Sequence, residues 1–268
     1  MTVIAPQPDA ERRATGPVPR MPPGRAKPLA TRLPREGNYR WVYIWGKPMR
    51  LAHWLSAGAF TTLILTGLFI GMPNLIPIPS HPQGVTPYLM GWVRAAHFVA
   101  AAVLVMAAIF RLYWLMAGNR YEQLRALFPF TRRERSNLVK QVWAYLFVKP
   151  HRAPHYIGHN PLQQLAYTGL YGMATVAILT GFSLYVQHDP GSLGFRALAW
   201  LPPLFGGLQN VRLVHHALTW AFTAYIPVHI YLASRADILE HGGLVSSMVT
   251  GGRFVAADTV FEDEKDLT

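Results

Sequence analysis

The chain of 268 residues contains no cysteine, which excludes disulfides, Cys-ligated zinc, iron–sulfur clusters and thiol catalysis within it. Charge is also scarce: 14% of residues are Asp, Glu, Lys or Arg, against about 25% in soluble domains, while 51% are hydrophobic. The deficit is local. Residues 51–71, 98–110, 162–186 and 213–234 carry no Asp, Glu, Lys or Arg. A bilayer core of about 30 Å needs roughly 20 apolar residues in a helix. The stretches 51–71, 92–116, 162–186 and 213–234 reach that length, the second despite Arg94 and Arg111 near its ends.

These stretches predict an all-α integral membrane protein, a four-helix transmembrane bundle. The first span follows about fifty polar residues, unlike the short basic start of a cleaved signal, so it is expected to stay in the mature protein. Acidic residues are the minority charge, 13 against 25 Lys and Arg. The basic residues are unevenly placed: ten in residues 1–50 and eight in 118–161, against none in 72–91 and two in 187–212. The positive-inside rule then puts both termini and the 118–161 loop in the cytoplasm and the two short connections outside, in a cell inner membrane.

Residues 1–40 hold eight prolines and scattered Arg, a composition that cannot bury enough apolar surface to offset chain entropy, and are predicted to be a disordered basic tail. Residues 41–252 form the membrane domain and 253–268 an acidic C-terminal tail. Within the long loop, residues 138–148 are too short to span and include Lys140, which suggests an interfacial helix. One tetrad recurs in the first and third spans, Leu65-Thr66-Gly67-Leu68 and Leu179-Thr180-Gly181-Phe182. It reads as small-residue helix packing, a faint duplication, or a glycine face that admits a flat cofactor.

The chain has eleven histidines, and ionisable groups at membrane depth are functional candidates by default. The predicted orientation places His53 near the cytoplasmic side and His97 and His215 near the outer side. His229 lies fourteen residues after His215, about 21 Å deeper and about 40° short of four whole turns, so one helix carries both on nearly the same face. His216 points about 100° away from His215. Paired imidazoles at one depth suit a six-coordinate haem iron. Two haems b are expected, held by His97 with His215 and by His53 with His229. Haem c is excluded because no Cys-x-x-Cys-His exists. Arg50, Arg94 and Arg111 are possible partners for haem propionates, with snorkelling to lipid phosphate as the alternative. His151, His155 and His159 recur every fourth residue, but Pro154 and Gly158 would interrupt the helix that a metal site there needs. A histidine-dependent proton or cation transporter without haem, or a bare anchor whose histidines only pack, stays open from the residues alone.

The run Arg50-Leu51-Ala52-His53-Trp54-Leu55, then Leu65 through Gly71, resembles the first span of the b-type cytochrome subunit of membrane-bound nickel–iron uptake hydrogenases. Further matches are Met90-Gly91-Trp92-Val93-Arg94-Ala95-Ala96-His97-Phe98, Arg111-Leu112-Tyr113-Trp114 leading to Gly118-Asn119-Arg120-Tyr121, Ile157 through Pro161, and His215 through Trp220 to His229-Ile230-Tyr231. That family is similar to the cytochrome b subunits of formate dehydrogenase and thiosulfate reductase, which are the alternative partner enzymes. The resemblance implies four helices and His53, His97, His215 and His229 as haem ligands. It also implies that the chain holds no hydrogenase site, so any enzymatic activity belongs to a hydrogen:quinone oxidoreductase complex. The implied partners are an iron–sulfur small subunit and a nickel–iron large subunit outside, membrane quinone near the cytoplasmic boundary, and the lipid bilayer; no nucleic acid is implied. The Pro- and Arg-rich N-terminal tail, and His216 where an Arg is common, depart from the family pattern.

Overall fold

The computed structural model describes residues 39–73, 86–128, 131–147, 154–240, 242–257 and 259–264. The basic tail up to residue 38 and His151 therefore lie outside the described residues.

Four long helices dominate. They are α1 (Lys47–Gly71), α2 (Thr86–Ala117), α4 (Pro161–Tyr185) and α7 (Leu208–Glu240). α1 packs along α2 and α7, and α4 packs along α7. Residues near the end of α1 meet the start of α7, as do those near the end of α4, so these neighbours run antiparallel. α1, α2 and α4 are each long and apolar enough to cross a membrane, and only 6% to 17% of their most apolar windows is buried within the protein. Leu65 is 64% exposed and Met106 likewise 64%, which is favourable only if hydrocarbon replaces water around them. α7 has the length to span. Its three histidines, Arg212, Arg235 and Asp237 lower its mean hydropathy, so composition alone does not mark it.

The helix starts follow from local chemistry. Asn160 caps α4 by accepting from Gln163 N (2.9 Å), and the Gln163 side chain accepts from Asn160 N (3.0 Å). The same box, Thr131 with Glu134, starts α3 (Arg132–Leu146). α3 thus begins six residues before the apolar run at 138–148 that announced it. Val139, Trp143 and Leu146 stay exposed along one face, while Asn137, Gln141 and Ala144 are buried on the side toward α4.

Among the described residues, a cluster of buried apolar side chains lies at one end of the helices. β1 (Tyr39–Tyr43) pairs antiparallel with β2 (Gly252–Ala256), and Ile44, Trp45, Tyr121, Ile157, Val255 and Phe261 pack beside this sheet. α8 (Leu244–Thr250) adds Ser247, whose hydroxyl accepts from Trp45 Nε1 (3.1 Å). Residues 253–257 and 259–264 of the segment read from sequence as an acidic tail add contacts at this end. The Asp263 carboxylate accepts from Ile157 N (3.1 Å) and Gly158 N (2.8 Å), and Glu264 pairs with Arg40. Short helices α5 (Leu193–Leu198) and α6 (Leu201–Leu204) connect α4 to α7 at the opposite end.

Glu122 ties this cap to the helices. Its side chain is 1% exposed and accepts from Gly46 N (2.6 Å), Trp114 Nε1 (2.9 Å) and Asn119 N (3.1 Å). One carboxylate thereby fastens the start of α1 to the end of α2. The α1 start in turn carries His53, two turns further on.

Candidate functional site

At the end of the helices away from the sheet, α2 presents His97 and α7 presents His215. Their ring centres are 6.5 Å apart with planes at 68°. Each ring is held by a threonine from a third or fourth helix: Thr66 Oγ1 lies 2.9 Å from His97 Nδ1, and Thr180 Oγ1 lies 3.0 Å from His215 Nδ1. The hydroxyl protons are already committed, because Thr66 donates to Thr62 O (2.6 Å) and Thr180 to Val176 O (2.7 Å). A hydroxyl has one proton, so toward histidine each threonine accepts. That hydrogen-bond network assigns the proton to Nδ1 in both imidazoles and leaves Nε2 with a bare lone pair.

A glycine follows each threonine beside the ring. A Cβ at Gly181 would press to 3.1 Å from His215 Cε1, whereas one at Gly67 would stand 3.5 Å from His97 Cε1, an ordinary contact. The tetrad seen twice in the sequence thus seats an imidazole twice: threonine holds the ring, and the ring rests beside the following glycine. His216 stands elsewhere, against Gly71, where a Cβ would come within 2.6 Å of its ring.

Toward the sheet end, α1 presents His53 and α7 presents His229, near enough to interact electrostatically. Tyr225 stacks on His229 (5.9 Å, 8°), Tyr167 meets its edge (6.3 Å), and Trp54 stands edge-on to His53 (5.1 Å). His53 Nδ1 is buried without a hydrogen-bond partner. The structure thus brings His97 together with His215 and His53 toward His229.

The three arginines differ. Arg111 is 7% exposed; its Nε donates to Tyr171 Oη (3.1 Å) and Nη1 to Glu122 O (2.8 Å), while Nη2 is buried with no partner. Arg50 donates to Val249 O and keeps a buried, unpartnered Nε. Arg94 is exposed on α2. His159, read from sequence as part of a regular histidine run, lies in a non-helical segment and packs between Trp45 (4.9 Å) and Tyr167 (4.7 Å). Burial, with the Arg111 charge adding, pushes its imidazole down to about 3, so it is neutral at physiological pH. The i, i+4 metal geometry that a helix would have given it is absent.

Sequence reading missed two kinds of residue. Glu122 gave no signal, since a single acidic residue in a basic loop is unremarkable until its three donors are seen. Thr66 and Thr180 did give one, the repeated tetrad, but its partner histidines lie on other helices.

An apolar helical scaffold in which two helices bring His97 and His215 face to face fits a membrane protein of the cytochrome b class. The sequence profile of the family described as prokaryotic cytochrome b561 matches residues 44–251, and the chain belongs to that family. The probable Ni/Fe-hydrogenase B-type cytochrome subunit of Azotobacter chroococcum is 38% identical over 222 residues, covering 81% of this chain and 90% of that protein. The Cupriavidus necator protein of the same name is 37% identical over 215 residues, covering 79% and 86%. The probable Ni/Fe-hydrogenase 1 B-type cytochrome subunit of Escherichia coli is 33% identical over 221 residues, covering 79% and 90%.

The family implies haem b, and the residues present fit it. His97 and His215, imidazoles from different helices with ring centres 6.5 Å apart, are the donor types that would hold a haem iron. The bare Nε2 atoms are the right donors, and the surroundings are apolar.

Proposed function

We propose that this chain is the membrane-anchoring, di-haem cytochrome b subunit of a nickel–iron hydrogenase, passing electrons across the membrane to quinone. The observation that carries the reading is the outer pair, in which two helices present imidazoles and two others hold them in the metal-binding tautomer. His97 and His215 would ligate one haem, and His53 and His229 the other. Bound haem b supplies one-electron redox chemistry at each level. The chain's own residues fix the imidazoles, exclude water and separate the levels by about 21 Å along α7.

In this reading α7 is a fourth transmembrane span, made less apolar by the histidines it carries. Pairing of β1 with β2 supports both termini on one side, because it joins the segment before α1 to the segment after α7. The basic loop assigns that side to the cytoplasm of a cell inner membrane. Arg111 and Arg50 each offer an unpartnered nitrogen toward a propionate at the cytoplasmic level. Arg94, on the exposed side of α2, would serve lipid phosphate or the outer haem. The relatives' names support a Ni/Fe hydrogenase as the partner; its iron–sulfur small subunit and nickel–iron large subunit would sit at the outer face. Quinone would be reduced near His53 and His229.

The test is to purify the tagged chain from its native membranes in mild detergent. The reading expects nickel and iron–sulfur subunits to co-purify, haem b absorbance to turn to the reduced form under hydrogen, and reoxidation on adding a soluble quinone. Haem that hydrogen cannot reduce while formate or thiosulfate enzymes co-purify would assign the scaffold to another complex. A colourless preparation would favour a transporter.

A further inference from the structure

Threonines in these helices commonly donate to the carbonyl four residues back, as Thr61, Thr62, Thr175 and Thr223 do. That habit is ordinary helix chemistry. Thr66 and Thr180 do something more. Each also accepts from a histidine Nδ1, and each directly precedes the glycine on which that ring rests. They sit on different helices and serve opposite members of one pair. At the other level there is no counterpart: His53 Nδ1 is buried without a partner, and His229 is surrounded by the rings of Tyr225 and Tyr167, with no side-chain hydrogen bond among the described residues.

We propose that Thr66 and Thr180 are positioning residues that tune the outer haem, giving it a lower reduction potential than the cytoplasmic one. The inference rests on the assignment of the four histidines as haem ligands. A hydrogen bond from Nδ1–H to an acceptor draws positive charge away from the ring and makes Nε2 a stronger donor. A stronger donor stabilises ferric over ferrous iron, so the potential falls. Two such bonds act on the outer pair. An imidazole whose Nδ1–H meets no acceptor is the weaker donor, so the inner iron holds its electron more tightly. The ordering makes inward electron movement downhill, a direction built from two hydroxyl groups.

The experiment is an optical redox titration of the purified, haem-loaded complex, comparing wild type with Thr66→Val, Thr180→Val and the double variant. Wild type should titrate in two steps. Thr66→Val should raise only the lower one, by up to about tenfold in the reduced-to-oxidised ratio at fixed potential, which is about 59 mV for one electron. Thr180→Val should raise the same step, and Thr66→Ser, which keeps the hydroxyl, should restore the wild-type value. A lower step that stays put, or an upper step that moves instead, overturns the proposal. His97→Ala separates the two levels of argument. It should leave one haem, titrating at the higher wild-type potential. A surviving haem at the lower potential overturns the tuning, whereas loss of both haems or of neither overturns the ligand assignment beneath it. That arm decides the matter even if a valine variant fails to fold.

Discussion

Replacing Glu122 tests how the cap governs the proposed haem site at His53 and His229. Its carboxylate satisfies three buried donors, two through Oε2 (Trp114 Nε1 and Asn119 N) and one through Oε1 (Gly46 N). Glu122→Gln has a single acceptor oxygen. Turned toward Trp114 and Asn119, its amide NH2 must face Gly46 N, donor against donor. One unsatisfied buried donor costs about 1–3 kcal/mol, so Glu122→Gln should lose about that much and Glu122→Ala, which orphans all three, roughly 3–9 kcal/mol. The damage should be directional. Gly46 precedes α1, which carries His53 near its start, whereas His97 and His215 are fixed by Thr66 and Thr180 at the far end. The assay is thermal loss of haem absorbance in detergent, made in a His97→Ala background that reports the inner haem and a His53→Ala background that reports the outer one. Inner haem should be lost at lower temperature in the order Ala, Gln, wild type, with the outer haem shifting less. A Glu122→Gln protein as stable as wild type, or an outer haem that suffers first, would refute the reasoning.

Gly181→Ala puts a Cβ 3.1 Å from His215 Cε1 on a ring already pinned by Thr180; it should cost about 1–3 kcal/mol and reduce outer haem content on purification. Gly67→Ala meets His97 at 3.5 Å, an ordinary contact, and should retain full haem with helix stability unchanged or up to about 1 kcal/mol better. His216→Ala should keep both haems while His215→Ala loses the outer one; the reverse pattern in a haem assay would exchange their roles. His159, held near 3 when folded against about 6.5 in an unfolded chain, stays neutral in the fold. Below 6.5 only the unfolded chain takes up the proton, so stability present at pH 7 falls on acidification until about pH 3. By pH 5 the loss from this group is about 2 kcal/mol, and thermal scans of His159→Gln should show a correspondingly flatter pH dependence than wild type.

The spans were legible because the bilayer imposes a simple rule, about twenty apolar residues with little charge, and α1, α2 and α4 obey it, α2 with Arg94 and Arg111 near its ends. α7 was legible only through its histidines and its apolar stretch, and the helix runs beyond that stretch to Arg212 and Arg235, where charge can reach water. The pairing of His97 with His215 followed from depth and helix face, quantities that 1.5 Å and 100° per residue carry directly from sequence. The cap did not follow. β1 and β2 lie more than two hundred residues apart, and neither has a partner nearby in the chain to announce it. Glu122 and Asp263 were invisible for the same reason, since their meaning lies in backbone donors supplied by other segments. Between these extremes stand Thr66 and Thr180. Their repetition was visible, yet repetition alone could not say that an imidazole from another helix rests on each.

The central claim is that four histidines on three helices hold two haems, and the most direct measurement is the number of moles of haem b per mole of chain. A pyridine-haemochrome spectrum of the purified, detergent-solubilised protein, expressed with ample haem, should give a ratio near two. A reproducible ratio of one would contradict the second site, and a ratio of zero would contradict the cytochrome account altogether.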